Sequence, residues 1–573
     1  MFSNKKDIDL KRKKDLYYLV VSILIIFFIN IIGQYYYKLF DFTGDKRYTL
    51  THATKNMLKK QRDVIFVKVL LDGDFPAGFK RLQNNVKDIL NQFKAVDPYL
   101  EYMFENPLSG SPTEIKKAKE KLRKEGIVPV NLFVGEGDSR SEKSIYPYAI
   151  FHLGKRMYVV NLLEAQVAGV STEEILNNSV ALLEYKFANA IQKLTRQHRG
   201  NVVFISDKGG IDDFHLATLY KHLGQFYKVA KLKLDSTYRI HPEIDLVIIP
   251  RPTKKFSYKN QFVLDQYLMN GGNIIWLIDK INADLDSINK YKLYTPELID
   301  PGLDDLFFKY GVRINNNLIQ DLQCTRLPQV VGMNGDVPQI ENFPWYYHLL
   351  VNSISSHPIS RSLSDIYMPF VSTVDTVKTL PGIKKTVLLT SSARSKYQMY
   401  PMRLSYQIMH YRPDVKLFNK SYLPISVLVE GYFTSYFKNR LTSETQDMLK
   451  DIGETFQDKS VAKGKMIFVG DGDFVKNLYN SKTGEFTSIG YNKWEKRKFN
   501  GNEDFIMNAI EYMMDDAGIL TARAKRVKLR LLDKAKLQNE KFKWQLINIA
   551  LPLLLLALFG IAYNYRRKSK WSK

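Results

Sequence analysis

The feature that most constrains this chain is an uncharged apolar run near its C-terminus. Residues 544–563, WQLINIALPLLLLALFGIAY, contain no charged side chain. A helix needs about 20 apolar residues to cross a hydrocarbon core of about 30 Å, so the run has the length of a membrane span. Trp544 and Tyr563 stand at its ends, where interfacial aromatic residues lie, and a basic segment follows. A buried core helix is the alternative, but the length and the basic flanks favour a transmembrane helix.

A second apolar run lies near the N-terminus, and we expect a first transmembrane helix over residues 16–40. Its core, LYYLVVSILIIFFINII, follows a basic segment in residues 1–15. A cleaved signal peptide has the same basic-then-apolar order. However, the bulky residues 34–37, QYYY, make a poor cleavage site and are typical of an interfacial belt, so we favour an uncleaved span.

The distribution of charge predicts the topology. Of the formal net charge of +25, residues 1–15 carry +3, residues 520–543 carry +7 and residues 564–573 carry +5. Basic clusters beside hydrophobic spans orient membrane proteins and contact lipid headgroups, which argues against nucleic-acid binding. We therefore expect cytoplasmic tails at residues 1–15 and 564–573, a location in the cell inner membrane and a periplasmic bulk. The basic segment before the last span conflicts with this orientation, but the first span usually dominates.

Between the spans, hydrophobic periodicity predicts two α/β domains. Over residues 45–196, strands and helices alternate, and a hairpin around Gly154 and a long amphipathic helix over residues 171–196 follow. Over residues 197–518, buried strands such as IDLVIIP and NIIWLID alternate with short helices. This alternation predicts a parallel sheet with doubly wound topology.

Two further segments complete the predicted organisation. Residues 323–465 are irregular apart from strands at 385–392 and 424–433, and VVGMNGDVPQIENFPWYY is expected to form loops. VRINNNLIQD, just before them, is expected to be one strand. Residues 519–543 are expected to form a basic juxtamembrane helix that acts as a stalk or lies on anionic headgroups.

The chain contains none of the common nucleotide-binding or hydrolase motifs. It has no Gly-x4-Gly-Lys-Ser/Thr sequence to hold phosphates, no Gly-x-Gly-x-x-Gly and no Gly-x-Ser-x-Gly. The chain is therefore not expected to hydrolyse nucleotides itself.

Three acidic turns follow predicted strands. Residues 207–213, DKGGIDD, come where doubly wound folds bind ligands, so a polar ligand and an ordinary connecting loop are both open. Asp72 and Asp74, and likewise Asp471 and Asp473, flank a glycine. Paired carboxylates bind cations or act as acid and base, but neither run continues as a calcium loop, and turn chemistry explains both.

The remaining reactive residues have no partners in the sequence pattern. His215 and His222 are seven residues apart without a third ligand nearby, so a structural role is favoured over metal binding. Cys324, the single cysteine, has no local base and no partner for a disulfide. Ser391 and Ser392 end a predicted strand, as active serines and ordinary loop residues both do. We predict no catalytic, cofactor-binding or metal-binding residue.

Five stretches along the chain carry a family resemblance. They are RYTLT after the first span, VLLDGDFPAGFKRLQ, FVGDGDFVKN, NEDFIMNAIEYMMDDAGIL and KLRLLDKAK before the last span. In this order they resemble the gliding-motility ABC transporter auxiliary protein of the Bacteroidetes, the GldG family, over almost the whole chain. The resemblance implies a membrane subunit, often described as substrate-binding-like, that works with a separate ATPase and a permease.

The resemblance also implies domain types. The second domain would be similar to flavodoxin-type or glutamine-amidotransferase-type domains, as in intraflagellar-transport proteins, without the nucleophile of its enzymatic relatives. The first domain would be thioredoxin-like, but the chain has no Cys-x-x-Cys, which excludes redox chemistry. The family supplies no catalytic residues to carry over.

The leading hypothesis is a non-catalytic auxiliary subunit of an ABC-type transporter complex linked to gliding motility. Its expected partners are a permease subunit, an ATPase subunit and lipid headgroups. We expect it to bind no cofactor and no nucleic acid, and the substrate is unidentified. Two alternatives stay open: an envelope scaffold or binding protein without transport, and a membrane-anchored periplasmic hydrolase that uses carboxylates in a loop.

Overall fold

The computed structural model describes residues 5–35, 49–124, 127–134, 141–164, 171–195, 200–352, 355, 357–361, 363–378, 382–411, 413–515, 518 and 534–571. The chain divides into two units, Met1–Lys525 and Arg526–Lys573. The first unit contains two large sheets, which are described in turn.

The first part of this unit is a mixed α/β layer. Its elements are α1 (Lys5–Tyr35), α2 (His52–Lys60), β1 (Ile65–Val69), α3 (Ala77–Val96), β2 (Leu100–Phe104), α4 (Pro112–Lys124), β3 (Val130–Val134), β4 (Ser141–Ile145), β5 (Tyr148–Leu153), β6 (Arg156–Asn161) and α5 (Thr172–Thr195). The sheet order is β2-β1-β5-β6, in which β1 and β2 are parallel and the other pairs are antiparallel.

Apolar residues at helical and strand spacing form the core of this layer. On α3, Leu82, Val86, Leu90 and Phe93 recur at helical spacing and are fully buried. Phe187 on α5 packs edge-on against Phe93, with ring centroids 6.3 Å apart. This apolar packing holds α3 and α5 together, and the predicted helix over 171–196 and hairpin around Gly154 are confirmed.

The second part of the unit runs from β7 to α11. Its elements are β7 (Asn201–Ile205), α6 (Asp213–Gly224), β8 (Lys228–Leu232), β9 (Leu246–Pro250), α7 (Tyr258–Met269), β10 (Asn273–Leu277), β11 (Ile281–Asn282), α8 (Leu285–Tyr291), β12 (Glu297–Leu298), α9 (Asp304–Tyr310), β13 (Val312–Ile314), β14 (Asn317–Asp321), β15 (Cys324–Asn334), β16 (Val337–Val351), β17 (Ile366–Pro369), β18 (Val374–Thr376), β19 (Ile383–Thr390), β20 (Ser395–Met399), β21 (Pro424–Gly431), α10 (Ser443–Asp451), β22 (Gly464–Val469), β23 (Tyr479–Asn480), β24 (Glu485–Phe486), β25 (Tyr491–Asn492), β26 (Arg497–Lys498) and α11 (Asn500–Met513).

A seven-stranded sheet organises this part, in the order β19-β21-β22-β10-β9-β7-β8. The five strands from β22 to β8 are parallel, as predicted. The edge strands β21 and β19 are antiparallel, so the sheet is mixed rather than wholly parallel. β9 is buried at every position and Trp276 on β10 is fully buried, as expected for strands covered on both faces.

The structure corrects two expectations about the segment after α9. VRINNNLIQD forms two strands, because β13 pairs with β18 while β14 pairs with β20. Residues 330–347, expected to be loops, lie in the long antiparallel hairpin of β15 and β16, which β17 extends to a three-stranded sheet. Thus an ordered hairpin replaces part of the predicted irregular region.

The two predicted spans differ in the structure. The second unit contains α12 (Lys534–Trp571), and within its segment Glu540–Ser569 an 18-residue window has a mean hydropathy of 2.3. Among the described residues, this is the one helix long and apolar enough to cross a membrane. The apolar stretch of α1 is shorter, Leu16–Asn30, so the N-terminal span stays a prediction. Residues 36–40 of that span and residues 519–533 of the basic segment lie outside the described residues.

Candidate functional site

The loops that follow β7 and β9 meet at the point where strand order reverses. Doubly wound sheets bind ligands in the crevice at this point. Here the backbone N–H groups of Thr253 and Lys254 both donate to the Lys208 carbonyl oxygen, at 2.9 and 3.0 Å. A Cβ on Gly210 would lie 2.3 Å from the Pro250 carbonyl oxygen. The loops therefore pack directly on each other at the switch point.

The charged residues of the loop 207–213 have partners within the fold. The backbone N–H of Asp235 donates to Asp207 Oδ2 at 2.8 Å, and buried Lys208 pairs with the Asp235 carboxylate. Asp212 caps α6 by accepting the His215 N–H at 3.0 Å. These contacts favour a structural role for this loop over a ligand site.

A second group of charges gathers at the carboxyl ends of β9, β10 and β22. Arg251 follows β9, Asp279 follows β10, and Asp471 and Asp473 follow β22. Arg251 Nε lies 3.0 Å from Asp473 Oδ1, and it also pairs with Asp279. The Gly472 N–H donates to Asp279 Oδ1 at 2.5 Å. We call Arg251, Asp279, Asp471 and Asp473 the strand-end cluster.

Burial shifts the pKa values of two carboxyl groups in the strand-end cluster. Asp471 is fully buried, and its Oδ1 accepts the backbone N–H of Asp473 at 2.7 Å while its Oδ2 has no hydrogen-bond partner. Burial and the nearby carboxylates of Asp279 and Asp473 raise the pKa of Asp471 well above its ordinary value. Burial and Asp473 also raise the pKa of Asp279, to about 6, although Arg251 opposes the shift. Burial and the neighbouring carboxylates therefore favour the neutral, protonated form of Asp471.

The other Asp-Gly-Asp turn belongs to the first sheet and is not part of this cluster. Asp72 follows β1, and its Oδ1 accepts a hydrogen bond from Gln83 Nε2 at 3.0 Å. Gly73 has a φ of 137°, which suits a glycine turn. The two acidic turns that look alike in the sequence thus lie on different sheets.

The two histidines on α6 each face a carboxylate of their own. His215 Nδ1 lies 2.8 Å from Asp212 Oδ1, and His222 Nδ1 lies 2.7 Å from Glu503 Oε1. Burial raises the pKa of Glu503, but His222 and Lys498 outweigh it and lower that pKa to about 2. Within the described residues, no group of three or more His, Cys, Asp or Glu side chains is placed to hold a metal ion.

The candidate nucleophiles are held in structural hydrogen bonds. Ser392 donates through its N–H and its Oγ to the Asp321 carboxylate, at 2.7 and 2.6 Å. Ser391 Oγ lies 2.7 Å from Ser395 Oγ. Burial and then the Asp321 charge raise the pKa of Cys324 to about 12, which disfavours the reactive thiolate. None of the three has the environment of an activated nucleophile.

An open cleft of about 550 Å³ lies where β6 and α5 of the first sheet face α11. Its walls are polar and carry ion pairs: Lys186 Nζ lies 2.7 Å from Glu164 Oε1, and Lys498 Nζ lies 2.8 Å from Glu503 Oε2. Tyr158 and Asn161 complete the first wall. The cleft has the size of a small-ligand site, although its charges are already paired.

Glu511 on α11 fixes one side of this cleft. Tyr185 Oη donates to Glu511 Oε2 at 2.8 Å, Asn189 Nδ2 donates to it at 3.2 Å, and Lys193 pairs with Oε1. Although burial opposes it, the Glu511 charge raises the pKa of Lys193 well above its ordinary value. The Glu511 carboxylate thus links three donor side chains of α5 to α11, the last helix of the second α/β part.

Sequence reasoning missed Arg251, Asp279 and Glu511. A signal for the first two exists, because each directly follows a buried strand, and parallel strands end at the same edge of a sheet. Glu511 has no such signal, since its partner Asn189 lies 322 residues away in the chain.

Comparisons with known proteins place the chain in a transport family. Residues 199–509 match the family described as ABC-type uncharacterized transport system, and residues 44–152 match a domain of unknown function. An uncharacterized protein of Borreliella burgdorferi is 21% identical over 557 residues, which cover 96% of this chain and 97% of that protein. A solved structure titled mmIFT52 N-terminal domain is 15% identical, with a TM-score of 0.29, and the match covers 55% of this chain and 96% of that one. Because the first match spans more than half of the 573 residues, the chain belongs to the family of ABC-type uncharacterized transport system auxiliary proteins.

Proposed function

We propose that this chain is a membrane-anchored, non-catalytic subunit that works with a separate permease and a separate ATPase. One observation carries the proposal: a chain of an ABC-type transport family has a C-terminal helix, Glu540–Ser569, of membrane-spanning length. The sequence lacks a phosphate-binding Gly-x4-Gly-Lys-Ser/Thr motif, so another subunit has to supply ATP hydrolysis. The finer link to gliding motility rests on the family resemblance alone.

The proposed topology has two spans, both termini in the cytoplasm and the α/β domains in the periplasm. The basic tails at residues 1–15 and 564–573 support this orientation through the positive-inside rule. We also propose a thioredoxin-like first domain within residues 45–196 and a flavodoxin-like second domain within residues 197–518. The order β8-β7-β9-β10-β22 supports the second assignment, because flavodoxin-like sheets have the order 2-1-3-4-5.

The test of the partnership is gentle capture of the full chain from its own membranes. We expect a tagged chain, solubilised in mild detergent, to bring down one permease and one ATPase in constant ratio. Capture of other envelope proteins without an ATPase would instead favour the scaffold alternative. Absence of both subunits with α12 intact would refute the proposal.

The topology is tested by cysteine labelling. The single Cys324 is first replaced, Cys324→Ser, so that Tyr411→Cys and Ser569→Cys each supply the one thiol. A membrane-impermeant maleimide should label position 411 in cells whose outer membrane is opened, and position 569 only after the inner membrane is permeabilised. Equal labelling of both before permeabilisation would show that the C-terminus is not cytoplasmic.

The hydrolase alternative is tested by single substitutions of the acidic turns. Asp72→Asn, Asp74→Asn, Asp471→Asn and Asp473→Asn remove each carboxylate while keeping side-chain size. We expect all four proteins to support the function of the complex when they are folded and present at normal amounts. Loss of function in a folded variant would revive an enzymatic role for that turn.

A further inference from the structure

The hairpin of β15 and β16 has a buried base and an exposed apolar end. At the base, Leu327 and Trp345 are 3% and 0% exposed. Towards the end, Val330, Met333 and Ile340 are 62%, 63% and 63% exposed. Large apolar side chains at such exposure, in one contiguous place, mark interaction surfaces on folded proteins.

The register of the hairpin places these side chains on one face. Val330 pairs with Ile340, and Met333 pairs with Pro338. Residues 338 and 340 are two apart on β16 and point to the same face. The extra residue of the bulge between Val330 and Gly332 keeps Met333 in step with this face. We call Val330, Met333, Pro338 and Ile340 the hairpin strip.

The charges of this segment are few and acidic. Between Leu327 and Ile340 the one charged residue is Asp336, in the turn at the end of the hairpin, and Glu341 comes next. The chain as a whole carries a net charge of +25. The hairpin end is thus an apolar, weakly acidic surface on a basic protein, which suits a partner that offers an apolar groove and a basic group.

Other occupants of the strip fit these observations less well. Pro328 lacks an N–H and the bulge disturbs the ladder, so addition of a strand to the β15 edge is disfavoured. Insertion into a bilayer would carry Asp336 in first, without the Trp, Tyr, Lys or Arg residues of an interfacial anchor between residues 327 and 342. A second copy docking through the same strip would set Asp336 and Glu341 against their own equivalents instead of a basic group.

We propose that the hairpin strip docks into an apolar groove, closed by a Lys or Arg residue, on the extracytoplasmic face of the transporter's membrane subunit. This inference rests on the proposed function, since it takes that subunit as the partner. The strip fills the groove, and Asp336 pairs with the basic group at its end. A few buried residues near the centre of a protein interface supply most of its affinity, and the strip would have to supply some of them.

The first test locates the partner without disturbing the fold. A photoreactive benzophenone amino acid replaces Met333 in the full chain, and irradiation of intact membranes precedes mass spectrometry of the adducts. The matched control carries the same amino acid at Val461, which is also 63% exposed and lies outside the hairpin. We expect Met333 alone to crosslink to an extracytoplasmic segment of the permease that is apolar and contains Lys or Arg.

The second test measures the contribution of the strip. In Val330→Ser with Ile340→Ser, we expect the permease captured per molecule of chain to fall at least about tenfold, with Val461→Ser unchanged. Asp336→Lys should weaken capture more than Asp336→Asn, because it places like charges together. These side chains are exposed, so normal membrane amounts of each variant serve as the check on folding.

The outcomes separate this inference from the proposed function. If the unchanged chain captures the permease and ATPase but the strip variants do so equally well, the inference is wrong and the proposed function stands. If the unchanged chain captures neither the permease nor the ATPase, the proposed function fails, and the Met333 crosslink is then the one test of the docking inference. A reproducible adduct with one apolar, basic protein segment then supports a docking strip, whereas adducts with a second copy, with lipid or with nothing above the Val461 control overturn it.

Discussion

Replacement of Asp471 by asparagine tests the electrostatics of the strand-end cluster. Asp471→Asn retains Oδ1 as the acceptor for the backbone N–H groups of Asp473 and Phe474, which lie at 2.7 and 3.2 Å. It puts an amide where the buried Oδ2 has no partner. If Asp471 is protonated in the folded chain, the substitution replaces one neutral group by another of the same shape.

The sign of the pH dependence follows from the raised pKa. An acid whose pKa is higher in the folded chain than in the unfolded chain binds more protons when folded, so stability falls as the pH rises between the two values. Each such group contributes a slope of about 1.4 kcal/mol per pH unit. Asp279 contributes only up to its folded pKa of about 6, whereas the pKa of Asp471 is raised well above its ordinary value. Asp471→Asn removes the contribution of Asp471 to this slope and leaves that of Asp279.

The assay is hydrogen exchange of the full chain in detergent, followed by mass spectrometry of the peptides that contain β10 and β22. Their slowest amides report the free energy of opening this sheet, once the pH dependence of intrinsic exchange is removed. As the pH rises above the unfolded pKa of an aspartate, about 3.9, we expect the free energy of unfolding of the unchanged chain to fall more steeply than that of Asp471→Asn, by up to about 1.4 kcal/mol per pH unit. The control Asp451→Asn removes an exposed carboxylate at the end of α10 and should keep the original slope. Equal slopes, or a variant less stable at every pH, would show that Asp471 is ionised and needed as a charge.

Three further perturbations follow from the contacts described above. Glu511→Gln should lower the free energy of unfolding by about 3 kcal/mol, because it leaves the buried Lys193 ammonium unpaired; a double variant with Lys193→Met should recover much of this loss in thermal unfolding. Gly210→Ala should destabilise the sheet by at least about 1 kcal/mol, since the new Cβ meets the Pro250 carbonyl oxygen at 2.3 Å, and hydrogen exchange in β7 and β9 measures it. Because the fold lowers the pKa of Glu503 to about 2, ionised Glu503 stabilises the folded chain above its unfolded pKa, and this stabilisation is lost as the pH falls towards 2. Glu503→Gln should therefore make the free energy of unfolding depend less on pH in this acid range, as thermal unfolding at pH 2 to 5 would show.

Much of the first sheet follows from local pattern. The helix predicted over residues 171–196 is observed as Thr172–Thr195, and Thr51 caps α2, with its Oγ1 3.3 Å from the Thr54 nitrogen. These elements are long and strongly periodic or have a clear capping residue, so residues close in the chain determine them.

The long hairpin shows where local pattern misleads. Pro328, Gly332 and Pro338 interrupt β15 and β16, and such residues normally mark loops. The two-residue loop is Gly335-Asp336, because Asn334 still pairs with Val337, and Gly-Asp between two apolar runs is a hairpin signal that the loop interpretation overlooked. The strands persist through the prolines because the buried base around Trp345 holds them together, which only the tertiary structure reveals.

The candidate site was predictable in position but not in composition. The acidic turns at residues 207–213 and 471–473 were expected at strand ends and are found there. That Arg251 and Asp279 join only the second turn depends on β9, β10 and β22 being neighbours, and strand order is a global property. The same order brings the loop 207–213 against the loop after β9, where direct packing takes the place that a ligand has in other doubly wound sheets.

This distribution of charge and packing bears on how the family works. At the switch point the loops contact each other, and in the strand-end cluster the carboxylates are committed to Arg251 and to backbone N–H groups. Among the described residues, the large surfaces that stay exposed and apolar include the hairpin strip and the helix Glu540–Ser569. An enzyme exposes polar groups in a pocket, whereas a subunit that acts by assembly exposes apolar surface to its partners. The exposed apolar surfaces of this chain fit the second pattern and support the proposed role as a subunit of a transporter complex.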